Sequence, residues 1–232
     1  MNKYGQYCPV AMATEILGDR WTLLIVRDLL TGVRHFNDLE RGLPGISRSL
    51  LAERLQRLET TGVLEKHSHG RGRKTEYRLT PAGQDLRAVI QALMVWGADW
   101  AFGDPSEEQL DPILLMWWMR NRVCHERLPQ DRVVIQFAFR HRKTETYWLV
   151  LTREDASVCL TYPGYEPDVY VTAELAVFLQ IWLGRFDYEE ACTAGNVHVE
   201  AFPPSLAHEF PTWFAWSPAA PAVRAARAKR AT

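Results

Sequence analysis

The sequence predicts an α+β fold in two parts: a helical domain carrying one β-hairpin, then an α+β domain built on a mainly antiparallel sheet. Three observations predict it. Apolar residues recur at helical spacing from Val10 to Leu58. Period-two alternation appears at Thr75, Tyr77 and Leu79 and returns between Val133 and Leu151. The polar, turn-forming segment Gly103-Asp-Pro-Ser-Glu-Glu108 separates the two halves, as interdomain linkers do. The domains are therefore expected at 1–103 and 110–217. The Ala/Pro/Arg-rich tail 218–232 has no apolar core to join and is expected to be disordered.

In the first half, Val10 to Leu17 reads as a helix stopped by Gly18. Asp19 is the expected cap of a second helix from about Arg20, because a short polar side chain accepts from the free first-turn N–H groups. Trp21, Leu23, Leu24, Ile25, Val26, Leu29 and Leu30 make that helix apolar nearly all round, so it belongs at the centre of the domain. A short helix follows, with Phe36 and Leu39 inward. Gly42-Leu43-Pro44-Gly45 then breaks the chain, and Ser47 caps a helix running to about Thr61. Its Leu51, Leu55 and Leu58 share one face; Ser49, Ala52, Glu53 and Gln56 share the opposite one. Two helices across a tight Gly-containing turn form a helix-turn-helix, whose second helix enters the DNA major groove.

Gly62 ends that helix, and Val63 to Ser68 pairs with the Thr75–Leu79 strand as a hairpin. Its tip, His69-Gly-Arg-Gly-Arg-Lys74, places Arg71, Arg73 and Lys74 together, suited to a phosphate backbone or a minor groove. Charge supports this. Residues 1–103 hold 14 basic and 11 acidic residues and residues 104–232 hold 13 and 17, although the whole chain is at −1. Ten of the basic residues lie between Arg41 and Arg87, and a local positive surface attracts phosphate whatever the total. On this reading Ser49, Ala52 and Gln56 reach base edges, and Ser47 and Arg48 stand at the helix entrance. Arg34, Arg54, Arg71, Arg73 and Lys74 neutralise phosphates. Thr80-Pro81 opens a further helix by an N-cap and a proline at the first position. Its stripe of Leu86, Val89, Ile90, Leu93, Trp96 and Trp100 is expected to pack across a two-fold axis against its copy.

The order of these motifs resembles the HxlR-type winged helix-turn-helix transcriptional regulators. The residues are Cys8-Pro-Val, Gly18-Asp-Arg-Trp-Thr, Phe36-Asn-Asp-Leu, Pro44-Gly-Ile-Ser, Leu51-Ala-Glu-Arg-Leu, Gly62-Val-Leu and Tyr77-Arg-Leu-Thr-Pro-Ala-Gly, over roughly Cys8 to Trp100. The resemblance implies a bacterial homodimer on double-stranded operator DNA. Several members of that family sense oxidants or electrophiles through a cysteine just before the first helix, the place of Cys8.

In the second half Asp111-Pro112 opens an apolar helix with Ile113, Leu114, Trp117 and Trp118. Alternating strands follow, Val133–Phe139 and Tyr147–Leu151, with shorter ones at Ser157–Thr161, Asp168–Thr172 and Asn196–Glu200. Thr172 is the expected cap of a helix with Leu175, Phe178, Leu179 and Trp182 inward, and Pro204–Phe214 a last helix. Val169-Tyr-Val-Thr-Ala-Glu-Leu, Ile181-Trp-Leu-Gly-Arg and Ala194-Gly-Asn-Val-His-Val-Glu resemble the sterol-carrier-protein-2-like domain, with Ala201 where that pattern closes on glycine. This resemblance implies a tunnel for an apolar small-molecule effector, with Trp117, Trp118, Phe137, Trp148, Phe178 and Trp182 as candidate lining. Plain core packing is the competing reading of the same aromatics.

Enzyme chemistry has little support. Gly72-Arg-Lys-Thr75 lacks the phosphate-loop spacing, Cys124-His125 is adjacent and so ill-suited to one metal, and there is no Gly-x-Ser-x-Gly elbow. No cofactor, metal or catalytic residue is expected. The longest purely apolar run, Ile113 to Met119, is far short of a membrane span, and the amino terminus has no apolar signal core. A cytoplasmic protein with thiols at Cys8, Cys124, Cys159 and Cys192 is expected. Two readings remain. One is a transcription regulator, a repressor, governed by an apolar effector or by Cys8. The other is a carrier of a lipid-like molecule with a vestigial DNA-binding half.

Overall fold

The computed structural model describes residues 4–68, 75–141 and 143–230. The chain divides into two compact units, one ending at Leu93 and the other starting at Met94. The division falls inside a helix, before the polar segment read as a linker. That segment is fastened to the second unit: Arg185 donates to the Gly103 carbonyl at 2.6 Å and pairs with Asp104 at 3.0 Å.

The first unit runs α1 (Pro9–Leu17), α2 (Thr22–Leu30), α3 (Phe36–Gly42), α4 (Arg48–Thr60), β1 (Leu64–His67), β2 (Glu76–Leu79) and the start of α5 (Pro81–Trp100). Ile25, Val26 and Leu29 of α2 are buried, with Leu39, Leu43, Leu51, Leu55, Leu58, Val63 and Leu64. This is an amphipathic solution in which each helix contributes one apolar stripe. The strands pair antiparallel from Leu64↔Leu79 to His67↔Glu76. Tyr77 N–H donates to the Arg34 carbonyl at 2.8 Å, which ties the hairpin to the α2–α3 connection.

The caps are a mixed outcome. Ser47 accepts from Leu50 N–H at 3.2 Å and starts α4, and Thr80 accepts from Gly83 N–H at 3.2 Å and starts α5. Asp19, the expected cap of α2, does not cap it. Trp21 holds that place at φ 79°, and the Asp19 carboxylate pairs with Arg57 at 2.6 Å and faces Arg54 at 3.8 Å. Two guanidinium charges draw the carboxylate toward α4 and away from the first turn of α2.

In the second unit α6 (Pro112–Arg120) is capped by Asp111, which accepts from Ile113 and Leu114 N–H at 2.9 and 3.0 Å. The sheet follows: β3 (Arg132–Arg140), β4 (Thr144–Thr152), β5 (Ala156–Cys159), β6 (Val169–Glu174). Next come α7 (Leu175–Trp182), α8 (Tyr188–Thr193) and β7 (Val197–Ala201), then α9 (Leu206–Glu209) and α10 (Ala220–Arg230). Strand order is β5-β4-β3-β6-β7, antiparallel throughout except for the parallel β3–β6 pair. Phe137, Phe139, Phe178, Trp182, Phe210 and Trp213 are the large side chains of its core. Thr172 does not cap α7, because β6 continues to Glu174 in register with β3. The helix expected at Pro204–Phe214 is two pieces, α9 and a 3-10 turn at Phe210–Trp213, with Pro211 breaking the α pattern.

The tail is the main departure. Read as disordered, it forms α10, with Ala220, Val223 and Ala226 buried and packed with Ala98. Lys229 pairs with Asp99 at 2.8 Å, and Arg230 donates to the Ala98 carbonyl at 3.2 Å. Alanine and arginine are strong helix formers, and a face of small residues permits close packing where few apolar atoms are available.

Candidate nucleic-acid interface

Because Leu51, Leu55 and Leu58 are turned inward, the 3.6-residue repeat forces Ser49, Ala52, Glu53 and Gln56 outward, and all four are exposed. The turn leading in needs Gly45, whose φ is 88°, a conformation that glycine adopts without steric cost. Ser47 is exposed, with its hydroxyl at 3.1 Å from that of Ser49.

The arginines divide into two kinds. Arg48 stays near the helix entrance: it stacks over the Phe36 ring at 4.9 Å, pairs with Glu40 and donates to Asn37 at 3.2 Å. Arg54, expected on a phosphate, is turned inward. Its side chain is 14 % exposed, bonded to Glu53 at 2.5 Å and to the Arg20 carbonyl at 3.3 Å, with Asp19 beyond. Its charge is spent joining α4 to the α1–α2 corner, so the phosphate role passes from it. Arg34 is half-buried beside the hairpin. Arg71, Arg73 and Lys74 lie outside the described residues. Two further groups belong to this surface. Glu53 shares the exposed face of α4, and a carboxylate accepts from cytosine N4. Arg20 is exposed over the Trp21 ring at 5.1 Å, and that ring reaches the Gly45 turn. The Gly18-Asp-Arg-Trp-Thr motif contains Arg20 and the ring it stacks on, but the approach of that ring to Gly45 is long-range and has no local signature.

Cys8 occupies the N-cap position of α1. The backbone N–H groups of Ala11 and Val10, in the first turn of α1, favour its thiolate and hold its pKa below that of an ordinary thiol. Along α5, Val89, Leu93, Trp96 and Trp100 are exposed, Leu86 is half-buried and Ile90 is buried. On α1, Val10 and Met12 are also exposed.

The six aromatics read as tunnel lining do not line one tunnel. Phe137, Phe178 and Trp182 are fully buried, with Phe137 edge-on to Phe178 at 5.8 Å. Trp117 is buried under the Arg120 guanidinium, 4.7 Å from its ring. Trp118 is half-buried against the same core. Trp148 alternates with the buried Tyr147 and Leu149, so it lies on the other face of the sheet, edge-on to Tyr162 at 6.2 Å. A cavity of ≈ 630 Å³ opens elsewhere in this unit, beside α8 and β7, and none of the six lines it.

The profile of the HxlR-like helix-turn-helix family matches residues 16–104. The HTH-type transcriptional regulator Rv3095 of Mycobacterium tuberculosis is 45% identical over 92 residues, covering 39% of this chain and 58% of that protein. The chain thus spans 58% of the length of the mycobacterial relatives it matches. The HTH-type transcriptional regulator YvaP of Bacillus subtilis is 36% identical over 104 residues, 44% of this chain and 94% of YvaP. Among solved structures, the reduced form of the transcriptional regulator YodB from B. subtilis has 34% identity and a TM-score of 0.37. It covers 41% of this chain and 96% of that one. The chain belongs to the HxlR-like helix-turn-helix family.

Proposed function

We propose that this protein is a homodimeric, DNA-binding transcription regulator of the cytoplasm, acting as a repressor by occupying its operator. The observation that carries this is the row Ser49, Ala52, Glu53 and Gln56, presented on α4 by three buried leucines and a capped amino terminus. Such a helix fits a major groove, where Gln56 meets adenine, Glu53 cytosine, and the Ala52 methyl a thymine methyl. Arg34, Arg48 and Arg20 with the wing cations Arg71, Arg73 and Lys74 neutralise phosphates. The exposed apolar stripe on α5 supports the dimer, since contiguous apolar surface of this kind marks an interaction site. The second unit is the effector domain, sterol-carrier-protein-2-like by its motifs, and an effector bound there shifts the dimer between states of different half-site spacing. Among the described residues no helix is long and apolar enough to cross a membrane.

Anisotropy titrations on a fragment of the protein's own promoter test this. Two chains are expected per operator. Ser49→Ala with Gln56→Ala should lower specific affinity by about tenfold or more and leave binding to a scrambled duplex unchanged. Arg71→Ala with Arg73→Ala should weaken both duplexes alike and reduce the salt slope by about two. Equal affinity of the unaltered protein for operator and scrambled duplex would refute the proposal.

A second input, at Cys8, has its own observation: an accessible thiol whose pKa is lowered by helix N–H groups. A lowered pKa means more thiolate at neutral pH, and the thiolate is the reactive form. Cys192 is the opposite case, with its pKa raised first by burial. Iodoacetamide at pH 7 should therefore modify Cys8 well before Cys192, as read by peptide mass spectrometry. Equal or reversed rates would remove Cys8 as a sensor.

A further inference from the structure

We propose that the cavity beside α8 and β7 binds a small aromatic carboxylate, with Arg224 of α10 as its counter-ion; this rests on the reading of the second unit as the effector domain. The volume, ≈ 630 Å³, suits a drug-sized ligand. One wall is an aromatic platform. Tyr188 and Trp216 line the cavity with ring centroids 6.0 Å apart, Trp216 backed by Trp182 at 5.7 Å and Tyr188 by Phe210 at 6.2 Å. The platform is thus braced by the core rather than free to collapse. Beside it, Tyr188 and Cys192 lie one turn apart on α8, and burial pushes both groups toward their neutral forms. That wall offers a ligand rings and a neutral dipole, not a charge.

The polar side of the cavity is selective by what is already committed. Asp187 accepts from the N–H groups of Glu189 and Glu190 at 2.9 and 3.1 Å, so its carboxylate serves α8 as a cap. His198 pairs with Glu200 at 2.9 Å. Glu189 lines the mouth and is exposed to solvent. The Arg224 and His208 side chains, delivered by α10 and α9, have no protein partner among the described residues. A guanidinium presents a planar fork that matches one carboxylate, and one cation beside an aromatic wall matches one ring-bearing monoanion. The same helix carries the consequence of binding: Arg227 donates to the Arg185 carbonyl at 3.0 Å, and Lys229 and Arg230 grip the last turn of α5 at Asp99 and Ala98. A ligand closing on Arg224 therefore fixes α10 against the end of α5.

The test uses the full chain, titrated calorimetrically with 1-naphthoate and with the uncharged 1-naphthamide. Naphthoate should bind about tenfold more tightly than the amide, the scale of one charge-assisted contact. Arg224→Gln should abolish that preference and Arg224→Lys should keep part of it, both with unchanged circular dichroism because neither change removes a hydrogen bond or ion pair made among the described residues. Bound naphthoate should also slow maleimide labelling of Cys192 and leave Cys124 unaffected. Absence of naphthoate binding, equal affinity for the amide, an unchanged preference in Arg224→Gln, or unprotected Cys192 would each overturn the site. If naphthoate binds as described but operator affinity does not respond, the site stands and the effector reading falls. If operator affinity responds equally in Arg224→Gln, the effector reading stands and this site falls.

Discussion

Gly83→Ala should destabilise the first unit by about 3 kcal/mol or more and abolish operator binding. Propensity alone argues the reverse, since alanine is favoured over glycine inside a helix by about 1 kcal/mol. Contact geometry decides the sign. A Cβ at Gly83 would lie 2.1 Å from the Val63 carbonyl oxygen and 2.9 Å from Leu79 Cδ2. The leucine methyl can rotate, but the carbonyl is backbone, and it already accepts from Thr80 N–H at 3.1 Å and from the Thr80 hydroxyl at 3.2 Å. Moving it breaks those bonds, worth about 1 kcal/mol each, on top of an overpacking cost of about 1–3 kcal/mol. Val63 also donates its N–H to the Leu58 carbonyl at 2.9 Å, so the strain reaches the end of α4 and the base of the hairpin together. For a unit of this size the thermal midpoint should fall by roughly 12 °C or more. A midpoint equal to or above that of the parent protein would show that α5 does not pack against Val63 as described.

The same junction shows what the residues disclose locally. Thr80-Pro81 is a start signal whose meaning is contained in two adjacent positions, and Ser47 before Leu51, Leu55 and Leu58 is another. Periodicity placed α4 and its outward row because one turn of helix is all the information required. Arg54 was illegible for the opposite reason. Its position flanking the leucine stripe suits a phosphate contact, and only the fold brings the Arg20 carbonyl, 34 positions earlier, within reach of its guanidinium, with Asp19 beyond. The aromatics of the second unit carry a related ambiguity. Bulk and apolarity specify burial at Phe137, Phe178 and Trp182, and these three are buried in the core, but not whether a void lies beside them. The observed cavity is walled by short pieces, α8 with six residues and α9 with four, too brief to leave a periodic trace. Its cation sits on a helix whose buried face is mostly alanine. Such a face is invisible to a search for apolar stripes because its packing depends on a close neighbour supplied from elsewhere.

Gly184 is the other side of that close approach, and Gly184→Ala should release α10. Gly184 has φ 84°, where an alanine costs about 1–2 kcal/mol. Its Cβ would meet the Cα, Cβ and carbonyl oxygen of Ala220, all at 2.7 Å. None of these atoms belongs to a flexible side chain, so relief requires moving the first turn of α10. Two responses compete: the core around α7 distorts, or α10 detaches. Detachment forfeits the burial of Val223, about 2 kcal/mol, with smaller terms from Ala220, Ala226 and exposed ion pairs such as Lys229–Asp99. Distorting α7 would disturb Phe178, Leu179 and Trp182, three buried side chains of the main core, at a larger cost. Detachment should therefore win, and the loss is limited to the docking energy of α10. The unit should keep its cooperative melting while amides over Val223–Arg230 exchange at least tenfold faster. Trypsin should then cut after Arg224 and Arg227, and discrimination between naphthoate and naphthamide should vanish with the displaced Arg224. Exchange over Val223–Arg230 as slow as in the parent protein would mean that Gly184 and Ala220 are not in contact. Collapse of the whole second unit would mean that α10 is part of its core rather than a helix docked upon it.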